Sequence, residues 1–92
     1  SMPITPENLP KHELIGLDVE VVKSMDEGLE GLVGEVMDET ESMLRIDDKW
    51  VEKKNCTFLF EIPSGEKVEV DGELIAKRPE ERTGMKLPDK WR

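Results

Sequence analysis

Chemistry-bearing side chains are scarce in this 92-residue chain, which has one Cys, one His and no Tyr. A lone cysteine, Cys56, excludes an internal disulfide and any cysteine-rich zinc site, and suits a reducing compartment. The only nucleophile–base pair on offer is His12 with Cys56, and nothing orients a third member. Cys56 reads instead as a small buried hydrophobe, and His12 as a residue packing at a helix end. The sequon Asn55-Cys56-Thr57 then reads as chance. No glycine-rich phosphate-binding motif is present. No stretch nears the roughly 18 apolar residues of a membrane span, and no secretion leader is visible, so a cytoplasmic protein without membrane contact is expected. Ser1 and Met2 read as a cloning scar, 3–82 as a single domain, and 83–92 as a basic tail, partly helical or disordered.

What the chain has in quantity is charge: 22 Asp and Glu against 13 Lys and Arg, a net charge of −9. Such a balance argues against nucleic acid, because phosphate contacts need clustered Lys and Arg. The mean hides a gradient, however. Residues 25–50 hold nine acids against Arg45 and Lys49, a local charge of −7, whereas residues 74–92 hold six bases against three acids, or +3. Sign asymmetry of this kind speaks of partners rather than of fold. Carboxylates are abundant, but the Asp38-Glu39 corner reads as a solvated turn rather than a magnesium site.

Periodicity indicates a mainly β chain. Asn8 caps an expected short helix from about Leu9 to Ile15, with Pro10 in its first turn and Gly16 as its left-handed stop; Thr5 with Pro6 is a competing cap, disfavoured because Pro10 would then fall inside the helix. From Leu17 the period changes to two. Strands are expected over Leu17–Val21, Leu32–Met37 with a bulge or bend at Gly34, Leu44–Ile46, and Cys56–Ile62, where Phe58 and Phe60 face the core. Asp38 to Glu41 reads as a turn, Asp48 to Lys54 as a charged loop around Trp50, and Pro63-Ser64-Gly65 as a turn. Val68 and Val70 lead into Asp71-Gly72, a hairpin signal, followed by a returning strand over Leu74–Lys77. Five or six short strands leave too little chain for parallel crossovers. The expected architecture is a small closed or nearly closed antiparallel β-barrel, with a short N-terminal helix and a basic C-terminal segment.

Five separated blocks carry a resemblance. They are His12-Glu13-Leu14-Ile15-Gly16-Leu17 running into Val19, Val21 and Val22; Gly34-Glu35-Val36 with Asp38-Glu39-Thr40; Phe58-x-Phe60-x-Ile62-Pro63-x-Gly65; Val68-x-Val70-x-Gly72; and Arg78-Pro79-Glu80-Glu81-Arg82. In this order and spacing the chain resembles the archaeal ribonuclease P protein component 1 family, related to a subunit of eukaryotic nuclear ribonuclease P. The resemblance implies an Sm-like barrel and a non-catalytic, RNA-binding subunit that supports the catalytic RNA removing the 5′ leader of precursor tRNA. It also implies no cofactor on this chain, magnesium required by the RNA-containing holoenzyme, and a zinc-ribbon protein subunit as heterodimer partner.

On this basis the candidate RNA contacts are Lys53, Lys54, Lys77, Arg78, Arg82 and Lys86. Lys53-Lys54 matches a basic pair the family places before its phenylalanine strand. The competing reading for Arg78 and Arg82 is structural pairing with Glu80, Glu61 or Asp38. Candidate partner-binding residues are Leu9, Leu14, Asp38, Glu39 and Trp50. The acidity, Pro10 and the run Glu39-Thr40-Glu41 depart from the family pattern and assign residues 25–50 away from phosphate. An alternative function is an Sm-like module that binds a protein partner and never touches RNA.

Overall fold

The segments of period two fold into one antiparallel sheet in the computed structural model, which describes residues 3–82. Six strands, β1 (Asp18–Ser24), β2 (Val33–Glu39), β3 (Met43–Ile46), β4 (Lys49–Glu52), β5 (Cys56–Glu61) and β6 (Lys67–Asp71), lie in the order β4-β3-β2-β1-β5-β6. Facing residues stack across the inner surface: Val21 opposes Phe58, which opposes Val70, and Val19 opposes Phe60, which opposes Val68. Alternation puts one side of each strand into the core. The rings of Phe58 and Phe60 sit 5.8 Å apart, tilted by 40°, a packed pair rather than a stacking platform for bases.

Two register shifts bend this sheet toward a barrel, one at Val22 against β5 and one at Met37 against β3. Among the described residues the ladder stops short of closure, because β4 and β6 remain its two ends. The bulge expected at Gly34 lies three residues later. Gly34 answers a different need: a Cβ there would stand 2.5 Å from the Asp47 carboxylate, which accepts the Glu35 amide at 2.9 Å.

Several expectations are corrected. The charged loop around Trp50 is β4, paired residue for residue with β3. Asp38 and Glu39 belong to β2, and the turn follows them. The helix expected over Leu9–Ile15 shrinks to a 3₁₀ turn, Leu9–Lys11; Asn8 does not cap it, and its side chain instead accepts the Thr5 amide at 2.8 Å. Gly16 does adopt the left-handed conformation, at φ 94°. Asp71-Gly72 makes no hairpin and no returning strand follows. A type I′ turn needs positive φ at both central residues, and Gly72 is not among the positive-φ glycines. Instead Asp71 accepts the Glu73 amide at 3.0 Å and opens a 3₁₀ turn, Gly72–Ile75. A Cβ on Gly72 would fall 1.7 Å from the Lys53 carbonyl oxygen, so glycine is what allows that turn to seat Ile75 in the core. A four-residue helix, α1 (Pro79–Arg82), ends the described chain. Ser1-Met2 and the tail 83–92, with Lys86, lie outside the described residues.

Candidate nucleic-acid interface

The basic residues singled out in sequence divide into two populations. Lys53 and Arg82 are fully buried, and they converge on one carboxylate. Glu39, at the end of β2, has a side chain with no exposure; its Oε2 accepts from Lys53 Nζ at 2.6 Å and from an Arg82 Nη, while Oε1 accepts from the other Nη at 3.2 Å. The remaining donors go to main-chain carbonyls. Lys53 Nζ donates to Thr40 at 2.7 Å, Glu41 at 3.1 Å and Lys77 at 3.3 Å. Arg82 donates from Nε to Pro10 at 2.8 Å, from Nη1 to Lys77 at 2.8 Å and Ile75 at 3.3 Å, and from Nη2 to His12 at 2.9 Å. All five guanidinium N–H groups can be used because the planar fork meets acceptors from three chain segments at once.

Two cations against one anion leave this knot one positive charge in excess, which the ring of carbonyl dipoles must stabilise. Burial strips water from the Lys53 ammonium and pushes its pKa below the ordinary lysine value; the hydrogen bond and charge of Glu39 oppose that shift. Lys53 and Arg82 are therefore corrected from RNA contacts to internal ties, since a group with every donor engaged and no exposure cannot reach a phosphate. Glu39 is corrected from partner contact to hub. Leu9 and Leu14, expected at a partner interface, are fully buried in the chain's own core.

The second population faces solvent. Lys54, Lys77 and Arg78 are exposed. The structural pairing weighed for Arg78 occurs with a different residue, Glu41, at 3.8 Å, both side chains well exposed. Glu41, Arg78 and Glu80 line a shallow groove beside the buried knot. Lys54 is not brought to that groove: it lines another one with Lys23, Met25 and Asp71. Asp38 and Trp50 are exposed, Trp50 at 43%, on the outer surface of β2 and β4, where each stands opposite Arg45. The Nε of Arg45 is buried with no hydrogen-bond partner among the described residues.

Two features escaped the sequence reading. Glu39 lies 14 residues from Lys53 and 43 from Arg82, and no local pattern joins positions so far apart. Lys11, half-buried between the two carbonyls that grip Arg82, carries only the signal of its neighbour Pro10. Among the described residues no group of three or more His, Cys, Asp or Glu is arranged to hold a metal ion.

Comparison with known proteins gives this geometry a context. The family model for ribonuclease P/MRP, subunit p29, matches residues 7–85. The ribonuclease P protein component 1 of Methanosphaera stadtmanae is 45% identical over 88 residues, covering 91% of this chain and 95% of that one. Its counterpart in Haloarcula marismortui is 44% identical over 95 residues, with 99% and 100% coverage. Among solved structures, Mth11, described as a homologue of human RNase P protein Rpp29, is 46% identical with a TM-score of 0.58, over 77% of this chain and 97% of that chain.

Proposed function

From the premise that this chain belongs to the ribonuclease P/MRP subunit p29 family, we propose that it is a non-catalytic subunit that binds ribonuclease P RNA through the exposed cations beside the buried knot. Relatives sharing more than two fifths of its residues are named as ribonuclease P protein components, which supports assigning the chain to that enzyme as a protein subunit. The observation carrying the RNA contact is the Lys77-Arg78 pair. Both residues are exposed, the Lys77 carbonyl is gripped from below by the buried Lys53 and Arg82 side chains, and Arg78 follows it directly in the chain. A guanidinium on fixed backbone can present parallel N–H groups to a phosphate without first being ordered.

In this reading the chain steadies RNA that carries out the chemistry on precursor tRNA with magnesium, and works beside a zinc-ribbon protein subunit. Reconstitution of precursor-tRNA cleavage with and without the chain, across a magnesium titration, tests it. A lower magnesium requirement or a higher rate with the chain is expected; identical curves would sink the proposal.

A second reading, a module that binds only protein, is favoured by one feature. The groove across the outer surface of β1, β2 and β5 is lined by Asp18, Glu20, Glu35, Asp47 and Glu61 against the single cation Lys67, around an exposed Val33. Phosphate is repelled there, while a basic protein surface is not. Stable heterodimer formation without any RNA affinity at moderate salt would select this reading.

A further inference from the structure

Three cations, the exposed Lys77 and Arg78 and the half-buried Lys11, are tied to the same buried knot. The Lys77 carbonyl accepts from both Lys53 and Arg82, at 3.3 and 2.8 Å. Arg78 follows directly, and its own carbonyl accepts the amides of Glu81 and Arg82 at 2.9 and 3.2 Å, opening α1. Lys11 lies between Pro10 and His12, whose carbonyls take the Nε and Nη2 bonds of Arg82 at 2.8 and 2.9 Å. Successive Cα atoms are about 3.8 Å apart, so each cation is within one residue of a gripped carbonyl. Lys11 comes from one end of the described chain, Lys77 and Arg78 from the other.

We infer that Glu39, Lys53 and Arg82 are positioning residues that assemble Lys11, Lys77 and Arg78 into one phosphate-binding surface without touching RNA themselves. This rests on the reading that Lys77 and Arg78 contact RNA, and adds Lys11 to the contact set. Affinity for a polyanion depends on how many phosphates are neutralised together. Cations on independently moving segments must be ordered at binding, whereas cations on gripped backbone are spaced beforehand. The choice of arginine at position 82 fits the role, because its fork reaches Pro10, His12, Ile75, Lys77 and Glu39 at once, and a lysine ammonium has only three donors from one point.

A double-mutant cycle on the full chain, with ribonuclease P RNA as probe, tests this. Arg78→Ala and Lys11→Ala are each measured in the native background and on Arg82→Lys, which keeps the charge beside Glu39 but gives up the fork. In the native background each alanine variant should weaken binding roughly tenfold and lower the salt slope by about one. On Arg82→Lys, with folding verified by circular dichroism, the same substitutions should cost less than about threefold, because the surface is no longer assembled. Equal losses in both backgrounds would overturn the positioning role and leave the RNA-contact reading standing. No loss in the native background would remove that reading too. Should Arg82→Lys fail to fold, the cycle is run on Lys53→Met. That variant keeps the Arg82–Glu39 pair and the Arg82 bonds to Pro10 and His12 but removes the lysine bonds to Thr40, Glu41 and Lys77, so coupling of Arg78→Ala, with Lys11→Ala additive, is expected, and additivity of Arg78→Ala would overturn the positioning role.

Discussion

Replacing Glu39 by Gln is the sharpest perturbation of this protein, because it removes one charge and strands two. The Gln amide keeps the shape and one acceptor oxygen, so packing is conserved while Lys53 and Arg82 lose the one carboxylate that pairs with them among the described residues. Breaking a buried ion pair by removing one partner costs about 3–5 kcal/mol. The remaining amide oxygen and the carbonyls of Thr40, Glu41, Lys77, Pro10 and His12 keep the loss within that range rather than doubling it. A domain of this size has a total stability of roughly 5–15 kcal/mol, so the variant should remain folded but marginal. With a urea m-value of about 1–3 kcal/mol/M, a loss near 4 kcal/mol moves the urea midpoint down by about 2 M, followed by far-UV circular dichroism. A shift smaller than about 0.5 M would refute the reasoning, since it would mean that water, not Glu39, compensates the two cations.

Two further outcomes follow from the same geometry. Burial pushes the Cys56 thiol above its ordinary pKa of 9.0, aided by Asp26 and Glu52 and opposed by its bond to the Ser24 hydroxyl. The folded chain therefore keeps this proton where the unfolded chain has lost it; the resulting stability is complete below 9.0 and fades as pH rises through the folded value. Between about pH 8 and 10 the native protein should lose more stability than Cys56→Ala, and parallel curves would contradict the assignment. Glu41→Gln frees Arg78 from its exposed partner, a pair worth at most about 1 kcal/mol, so RNA affinity should rise by up to about fivefold at low salt. Weaker binding would show that Glu41 orients Arg78 instead of competing for it.

Period-two alternation made five of the six strands legible, because side chains on a pleated strand alternate between core and water and the composition must follow. It failed at β4, where Lys49, Trp50 and Glu52 are all exposed and Val51 is the one buried residue. A four-residue edge strand with a single inward residue has no period to detect. Asp71-Gly72 misled for a related reason. The same dipeptide serves a hairpin or a close approach, and only the Lys53 carbonyl pressed against Gly72 distinguishes them.

By itself, the amino-acid sequence determined the antiparallel β class and the core residues from Val19 through Phe58, Phe60 and Val70. It also carried the family, through blocks spread over most of the chain. Tertiary structure alone decided that Lys53 and Arg82, indistinguishable in type from the exposed Lys54, Lys77 and Arg78, are buried around Glu39. Charge is a property of a residue, but whether a charge meets water or a carboxylate depends on which distant segments fold over it. Here those segments are the turn after β2, the chain before β5 and the two ends of the described residues, joined by bonds between positions that no local pattern relates.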